Sequence, residues 1–239
     1  MQRFFVTFPL GIDVTITDKD THHQLTRVLR IQVGDHVVLF DGDGSETEYG
    51  VVNIDKKSIT LRGKSQARPN TEPKKHVILY QAMPNKHEKI EYILQKWVEV
   101  GISRFIFFRS DRSQKLILSP AKIDRFITIA REAVEQCGGV VMPQIDFVEK
   151  SLLAPQVLDW FVTSQWQRDI VLDTTGILRR CSEFTDMQDI GLWVGPEGGW
   201  SDDERNKMSE KGFIFARFGE RVLRTETAGI VTVFALLHA

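Results

Sequence analysis

Apolar and polar residues alternate along most of the first 68 residues, a pattern that predicts short β-strands. One strand is predicted at His36–Phe40, and a returning strand is predicted at Glu46–Ile54. The intervening Asp41-Gly42-Asp43-Gly44 is typical of a tight turn between antiparallel strands, and a further strand is predicted at Ile59–Arg62. A small antiparallel barrel closes such strands without exposed edges, so we expect a barrel here.

A short helix is predicted between these strands. Leu25, Val28 and Leu29 fall on one face at helical spacing. Asp20 or Thr21 precedes them and can cap the helix, because either side chain can accept a hydrogen bond from a backbone N–H group of the first turn.

A polar segment follows the predicted barrel. Residues 63–75 contain two prolines and are typical of a linker. We place the linker itself at 69–75, which leaves 1–68 and 76–239 as two domains. The length of 239 residues suits one large domain or two smaller ones.

Beyond the linker, strand patterns and helix patterns alternate, which favours an α/β domain with a parallel sheet. Gly101 is well placed to end one helix, and Ser201 with Glu204 predicts a capping box at the start of another. The predicted strands cover 76–82, 102–108, 170–172, 191–194 and 213–218, and the predicted helices cover 86–100, 119–137 and 228–237, with one more beginning at 201.

The composition is that of an ordinary globular protein, with 42% hydrophobic and 26% charged residues. The net charge is −1, so bulk charge does not favour binding to polyanions. Two basic runs stand out, with five cations between Arg62 and Lys75 and four between Arg104 and Lys115. Such runs are either solvated loops or contacts to an RNA backbone, and the sequence favours neither interpretation.

No stretch approaches the roughly 20 apolar residues of a membrane span. Asp13 and Asp18 follow the apolar start too closely for a signal peptide, so we expect a cytoplasmic protein. Cys137 and Cys181 are too isolated for a disulfide framework or a zinc site. No metal site is predicted, and no catalytic arrangement of serine, histidine and aspartate is visible.

Two glycine-containing segments near the C-terminal end carry the strongest functional signal. Leu192–Trp200 is predicted to be a short buried strand that runs into a loop, and Phe218–Ala228 ends a strand and enters an apolar helix. Glycine lets a backbone approach a flat ligand closely, and loops at the carboxyl ends of parallel strands bind ligands in open α/β sheets. One such loop also suits a simple tight turn, but the pair favours a ligand site.

These segments resemble the signature loops of the SPOUT superfamily of S-adenosylmethionine-dependent RNA methyltransferases, and within it the ribosomal RNA small subunit methyltransferase E family. The family's G-P-E-G-G loop, with an aromatic residue and a Ser-x-x-E helix start, matches Gly195–Ser201 and Glu204. Its L-G-x-R-I-L-R-T-E-T-A signature matches Phe218–Ala228. Its H-H-L-x-R-V-L-R pattern matches His22–Arg30 with one extra residue, so the resemblance extends over the whole chain.

The resemblance implies both a function and a fold. The family uses S-adenosylmethionine to methylate N3 of a uridine in the 16S rRNA of the small ribosomal subunit, uracil-1498 in the standard numbering. The implied fold is a PUA-like β-barrel followed by a SPOUT-type α/β domain, whose last strands and helix form a trefoil knot. SPOUT sites are completed across a subunit interface, which implies a homodimer.

Residues are expected to divide between RNA and the cofactor. Arg27 and Arg30 on the short helix, together with Arg3 and Arg112, are the expected RNA contacts. The resemblance implies a cofactor pocket formed by the end of an earlier strand and the two signature loops. Its residues are Leu172, Asp173, Gly195, Pro196, Glu197, Gly198, Gly199, Phe218, Gly219, Arg221, Val222 and Leu223.

Methylation at uracil N3 requires that a proton leave the nitrogen, because the neutral imide offers no lone pair for attack. A fixed cation beside the base oxygens would stabilise the resulting anion. Arg224 is the expected cation, and Arg221 is also suited to this role. Glu226 is the expected general base, with Glu197 as the alternative. Glu226 is equally consistent with an ordinary acid in the first turn of a helix.

Two segments depart from the family's pattern. Where the family has K-G-D-K-M-E, this chain has Pro84-Asn85-Lys86-His87-Glu88-Lys89-Ile90-Glu91. Where the family has E-Q-S-x-R, this chain has Glu135-Gln136-Cys137-Gly138-Gly139, without the arginine. Because the family contacts RNA with both segments, a noncatalytic RNA-binding or assembly factor that retains the fold is a second hypothesis. A third, a nucleotide-binding enzyme, lacks the Gly-Lys-Ser/Thr expected after the glycines.

Overall fold

The computed structural model describes residues 1–154, 168–184 and 186–238. The chain divides into two compact units, one with Met1–Glu72 and Val134–Met142, the other with Pro73–Ala133 and Pro143–Ala239. The linker at 69–75 and the domain limits on either side of it stay a prediction.

Five strands form one sheet in the first unit: β1 (Gln2–Phe5), β2 (Asp13–Ile16), β3 (His36–Phe40), β4 (Glu46–Ile54) and β5 (Ile59–Ala67). Their order in the sheet is β1-β3-β4-β5-β2. Neighbouring strands run antiparallel, as predicted, except that β1 and β3 are parallel. Parallel pairing needs a longer crossover than a hairpin, and the chain from β1 to β3 provides it through β2 and a helical segment.

The helix of the first unit begins earlier than predicted. It spans Lys19–His23 and is named α1. Asp18, rather than Asp20 or Thr21, is its cap, and the Asp18 carboxylate accepts a hydrogen bond from the backbone N–H of Thr21 at 2.8 Å. The predicted start was wrong because several polar residues in this stretch could serve as a cap.

A π-helical turn, Gln24–Val28, continues α1. A π turn contains more residues than an α turn, so the helical spacing that would place Leu25 and Val28 on one face does not apply. Leu25 is fully buried, whereas Val28 is 65% exposed. The prediction that Leu25 and Val28 share one face was therefore wrong.

Six parallel strands form the sheet of the second unit, which confirms the predicted α/β class: β6 (His76–Ala82), β7 (Arg104–Arg109), β8 (Gln144–Ser151), β9 (Arg168–Leu178), β10 (Asp189–Val194) and β11 (Ile214–Arg217). The order is β11-β9-β10-β6-β7-β8. Strand β8 was not predicted, because its apolar residues are interrupted by charged ones and none of its side chains is fully buried. The trefoil knot stays an expectation from the resemblance.

The described residues of this α/β architecture form the helices α2 (His87–Val100), α3 (Pro120–Cys137), α4 (Asp202–Glu210) and α5 (Thr225–His238). Gly101 ends α2 in the left-handed conformation, with φ of 99°, and Ser201 with Glu204 forms the predicted capping box of α4. Helix α5 begins three residues before the predicted Ala228. No helix in the described part of the chain is long and apolar enough to cross a membrane.

An aromatic cluster supports the end of the central strand β10. Trp193 stacks on Tyr80 of β6 with a distance of 4.0 Å between ring centroids, and Phe108 of β7 meets Trp193 edge-on. Trp200 lies parallel to Phe108 and is also buried. The loop between Trp193 and Trp200 is therefore anchored in the core at both of its ends.

Candidate functional site

A cavity of about 510 Å³ lies where β9, β10 and β11 direct their loops, at the start of α5. This position is the usual ligand site of an open α/β sheet, and the volume falls in the range of small-molecule pockets. Its walls are formed by residues 172–174 of β9, by the segment 194–200 that follows β10 and by the segment 216–225 that joins β11 to α5. Lys89 of α2, Arg205 of α4 and the first turns of α5 complete the lining.

The structure brings nearly all the expected cofactor residues together. Of the twelve, only Gly198 is absent from the lining of the cavity. Arg224 also lines it, whereas Glu226 follows the lining residue Thr225 in the first turn of α5. Those that line the cavity are Leu172, Asp173, Gly195, Pro196, Glu197, Gly199, Phe218, Gly219, Arg221, Val222 and Leu223.

The glycine-rich loop, defined as residues 195–200, is held in a fixed shape. Gly199 has φ of +68°, a backbone conformation that disfavours side chains. A Cβ on Gly195 would stand 3.1 Å from the ring of Trp200. The indole N–H of Trp200 donates to the carbonyl of Leu172 at 3.0 Å and so ties this loop to β9.

Gly198 faces away from the cavity, toward Arg112. A Cβ on Gly198 would lie 3.2 Å from Cβ of Arg112, and the Arg112 guanidinium donates to the carbonyl of Gly198 at 3.2 Å. The absence of a side chain at Gly198 therefore accommodates Arg112. Arg112, one of the expected RNA contacts, therefore lies against the side of the glycine-rich loop opposite the cavity.

The second signature loop is open to solvent and carries two arginines. Arg221, Val222, Leu223 and Arg224 are all exposed. The Arg224 guanidinium makes no ion pair or hydrogen bond with any residue that the structure describes, although its backbone carbonyl accepts from the first turn of α5. The hydroxyl of Thr225 donates to the carbonyl of Gly195, so α5 begins in direct contact with the glycine-rich loop.

The Asp173 carboxylate is occupied within the protein. Its side chain has no exposed surface, and it accepts hydrogen bonds from Nε of Arg205 and from the backbone N–H and hydroxyl of Thr175, each at 2.8 Å. Burial raises the pKa of Asp173, but the hydrogen bonds from Arg205 and Thr175 outweigh it and lower the pKa overall. Asp173 thus joins β9 to α4 through Arg205, and the Arg205 side chain reaches the cavity.

Lys89 forms ion pairs with two carboxylates that lie more than a hundred residues away from it in the sequence. Its ammonium lies 2.6 Å from Oε1 of Glu197 and 3.8 Å from Oε2 of Glu226. Burial raises the pKa of Glu197, but the hydrogen bond from Lys89 more than offsets this and the pKa is lowered. A general base at neutral pH needs a raised pKa, so the surroundings of Glu197 oppose that role.

Sequence reasoning missed Lys89 and Arg205 as site residues. Lys89 lies in the first turn of a helix, where a cation is unfavourable unless it has a partner elsewhere, and this was the only signal in the sequence. Arg205 carries no comparable signal, since an arginine on an amphipathic helix usually faces solvent.

The four arginines expected to contact RNA differ in whether their side chains are exposed or already engaged within the protein. Arg27 and Arg30 are exposed, and Arg30 has φ of 55° just after the π-helical turn. The Arg3 guanidinium is engaged inside the first unit: it pairs with Glu46 at 2.8 Å, donates to the carbonyl of Gly139 at 2.7 Å and lies 5.2 Å from the centre of the Phe40 ring. Arg3 therefore has a structural task, and its contact with RNA stays a prediction.

The chain matches two family models. The model described as an RNA methyltransferase domain matches residues 71–237, a range that includes every residue of the cavity lining. The model described as an RNA methyltransferase PUA domain matches residues 16–62, in agreement with the PUA-like domain expected at the N-terminal end.

Named relatives and a solved structure are similar over nearly the full length. The chain is 29% identical to ribosomal RNA small subunit methyltransferase E of Buchnera aphidicola, over 91% of this chain and 85% of the relative. It is 30% identical to ribosomal RNA small subunit methyltransferase E 2 of Borreliella burgdorferi, over 93% and 90%. A Legionella pneumophila structure solved with the bound cofactor SAM is 27% identical with a TM-score of 0.83, covering 98% of this chain and 95% of that chain.

Proposed function

Because this chain belongs to the ribosomal RNA small subunit methyltransferase E family, we propose that it methylates N3 of a uridine in 16S rRNA, uracil-1498 in the standard numbering. The methyl donor is S-adenosylmethionine. The observation that carries the proposal is the cavity, in which both signature loops and residues 172–174 of β9 meet beside Arg224, whose guanidinium makes no ion pair with a described residue.

The cavity suits S-adenosylmethionine in size and chemistry. Its volume, about 510 Å³, accommodates a ligand of this class. Backbone groups of the glycine-rich loop and of Phe218–Leu223 are available to hydrogen-bond the adenine edge. Leu172, Val194 and Ala216 supply apolar surface for the adenine ring and the methionine chain. The Legionella pneumophila structure, which holds SAM on the same fold, supports this assignment.

The reaction needs a proton acceptor and a cation beside the target base. When bound, S-adenosylmethionine supplies a methyl group whose bond to sulfur breaks as the bond to N3 forms, and S-adenosylhomocysteine leaves. Glu226 is the proposed acceptor of the N3 proton; its buried Oε2 makes no hydrogen bond to a described residue and lies 3.8 Å from the ammonium of Lys89. Arg224 stabilises the anionic uracil oxygens, because none of the residues that the structure describes neutralises its positive charge.

The remaining residues bind the macromolecular substrate. Arg27 and Arg30 contact the RNA backbone from the first unit, and Arg112 contacts RNA beside the glycine-rich loop. In this proposal Arg3 assists only by holding Gly139. The enzyme acts in the cytoplasm on the 16S rRNA of the small ribosomal subunit.

A homodimer is part of the proposal. Apolar side chains are exposed next to the cavity on the second loop and on α5: Val222 (78%), Leu223 (45%), Val231 (47%) and Phe234 (56%). Exposed apolar residues that cluster in this way are typical of an interface. A second copy of the chain would cover these side chains and complete the site. Analytical ultracentrifugation of the purified protein, which measures its mass in solution, distinguishes a dimer from a monomer.

The decisive experiment incubates the purified protein with S-adenosylmethionine and small ribosomal subunits from cells that lack the enzyme. Mass spectrometry of nuclease fragments is expected to find one 3-methyluridine at position 1498. Methylation at another nucleotide would contradict the position, and methylation at another atom would contradict the N3 assignment. Tight binding to the subunits without methyl transfer would favour the noncatalytic assembly factor.

A further inference from the structure

Lys89 is the only described residue whose side chain forms ion pairs with both the glycine-rich loop and α5. Its ammonium donates to Glu197 of that loop at 2.6 Å and lies 3.8 Å from Glu226 in the first turn of α5. The start of α2 makes a further contact, since the backbone N–H of Asn85 donates to the same oxygen of Glu197 at 3.3 Å.

In this ion-pair cluster, Lys89 with Glu197 and Glu226, the lysine and Glu226 are partly buried, whereas Glu197 is exposed. The side chains are 23%, 31% and 14% exposed, respectively. Ion pairs on an open surface contribute little, but removal of Lys89 would leave the more buried carboxylate of Glu226 without the ammonium beside it. Loss of Lys89 would leave two carboxylates facing each other with like charge, and they would repel.

The charge of Lys89 is therefore balanced inside the protein, in contrast with that of Arg224. A balanced cation has little capacity to stabilise a new negative charge on a substrate. Its effect is on geometry instead, because Glu197 belongs to one wall of the cavity and Glu226 follows Thr225 of another. Thr225 already joins these walls through its hydrogen bond to Gly195, and Lys89 joins them a second time from α2.

We propose that Lys89 is a positioning residue that locks the glycine-rich loop to the first turn of α5 and thereby fixes both the cofactor cavity and the orientation of Glu226. The proposal rests on the proposed function for its consequence in catalysis, but the lock itself is a property of the fold.

The test compares Lys89→Met with Lys89→Arg and with the control Lys96→Met. Lys96 lies on the same helix, outside the cavity, and pairs only locally with Glu99. Amide hydrogen exchange is measured for residues 195–200 and 225–228. Lys89→Met is expected to accelerate exchange in both segments, Lys89→Arg to restore the wild-type rates, and Lys96→Met to change neither. Wild-type exchange rates in Lys89→Met would overturn the proposal.

Cofactor affinity gives the second measurement. Calorimetry with S-adenosylmethionine is expected to show affinity about tenfold weaker in Lys89→Met, equivalent to about 1.4 kcal/mol, and close to wild type in Lys89→Arg. Equal losses in both variants would show that the lysine acts by something other than its charge, and would overturn the proposal. If the wild-type protein does not bind this cofactor, the proposed function is wrong. The hydrogen-exchange measurement still tests whether Lys89 holds the glycine-rich loop to α5.

Glu197→Gln provides a variant that keeps the size of the side chain, in case Lys89→Met does not fold. The same acceleration of exchange is expected in it, since Lys89 loses its nearest charge. In a double-mutant cycle, Lys89→Met with Glu197→Gln is expected to be no worse than Lys89→Met alone. Fully additive losses of affinity would mean that the two residues act independently, and the proposal would then be wrong.

Discussion

Two cations at one cavity have opposite surroundings. Lys89 is paired with two carboxylates, whereas the guanidinium of Arg224 is exposed and has no ion-pair partner among the described residues. The carboxylates of Glu226 and Glu197, which belong to the same two signature loops, both face Lys89. The charge of Arg224 is thus free to act on a substrate.

We expect Arg224→Ala to lower the rate of methyl transfer at saturating RNA by about 10²–10³, because one preformed electrostatic contact to the transition state is lost. Affinity for S-adenosylmethionine and melting temperature should stay near wild type, since no contact within the protein is removed. Single-turnover kinetics and calorimetry measure these quantities. Arg125→Ala, an exposed arginine of α3 outside the cavity, is the control. A parallel fall in stability would contradict this role.

Gly199 is required by its backbone conformation rather than by space. Its φ is +68°, and a Cβ added to it would meet no atom within 4 Å. We expect Gly199→Ala to lower the free energy of unfolding by about 1–2 kcal/mol, the cost of a left-handed residue with a side chain. Gly219→Ala is the control, because Gly219 has equal space and no positive φ. Denaturant titrations that find equal losses would show that conformation is not the reason.

At the scale of elements, two sets of side-chain contacts hold α4 beside the cavity. Its capping box closes on Ser201 and Glu204, and Glu204 also accepts the backbone N–H of Asp111 at 2.9 Å. Its Arg205 pairs with Asp173 of β9. The position of that wall of the cavity therefore depends on a buried carboxylate that must stay ionised.

The stability of the protein should therefore depend on pH through Asp173. Because the pKa of Asp173 is lower in the folded protein than its usual 3.8, ionised Asp173 favours folding above that pH. The contribution is lost as pH falls through the folded pKa. We expect Asp173→Asn to flatten the pH dependence of unfolding between about pH 5 and about pH 2. Asp203→Asn, on the exposed side of α4, should retain the wild-type slope.

Helix α5 packs on α2 through a glycine. A Cβ on Gly229 would lie 1.7 Å from the ring of Trp97, which is fully buried. We expect Gly229→Ala to lower the free energy of unfolding by about 1–3 kcal/mol, because the close approach of the two helices is lost. Trp97→Leu in the same chain should recover part of the loss. Thermal unfolding of the single and double variants decides this, and no recovery would contradict direct contact.

At the scale of the whole molecule, the two units carry different expected tasks. The first unit presents Arg27 and Arg30 on its surface, and the second contains the cavity. RNA binding through phosphate contacts weakens steeply with salt, whereas binding of a small cofactor in a cavity does not. The two tasks can therefore be separated by mutation.

We expect the double variant Arg27→Ala, Arg30→Ala to bind small ribosomal subunits more weakly and with a salt dependence reduced by about 2 in slope. Cofactor affinity should be unchanged, since both residues lie outside the cavity. Filter binding at several salt concentrations measures the slope. The control is Lys56→Ala, Lys57→Ala in an exposed turn of the same unit. Equal effects in both double variants would show that charge alone, rather than position, determines binding.

Local features were predictable because their free energy comes from neighbouring residues. Strands β3, β4 and β6 have the predicted bounds, Gly101 ends α2, and the capping box of α4 forms at Ser201. The two signature loops were located for the same reason, since glycine and proline set the backbone locally. Eleven of the twelve expected cofactor residues line one cavity, and their contacts to the cofactor stay a prediction.

Only the tertiary structure decided which distant residues meet. Parallel pairing of β1 with β3 and the half-buried strand β8 depend on neighbours that the local pattern does not specify. Lys89 reaches Glu197 and Glu226, and Arg205 reaches Asp173, only after the strands have placed their loops side by side. The sequence by itself determined where the loops lie and which chemistry they carry. The sheet determined which charges are neutralised and which remain free, because ion pairing depends on distance in space.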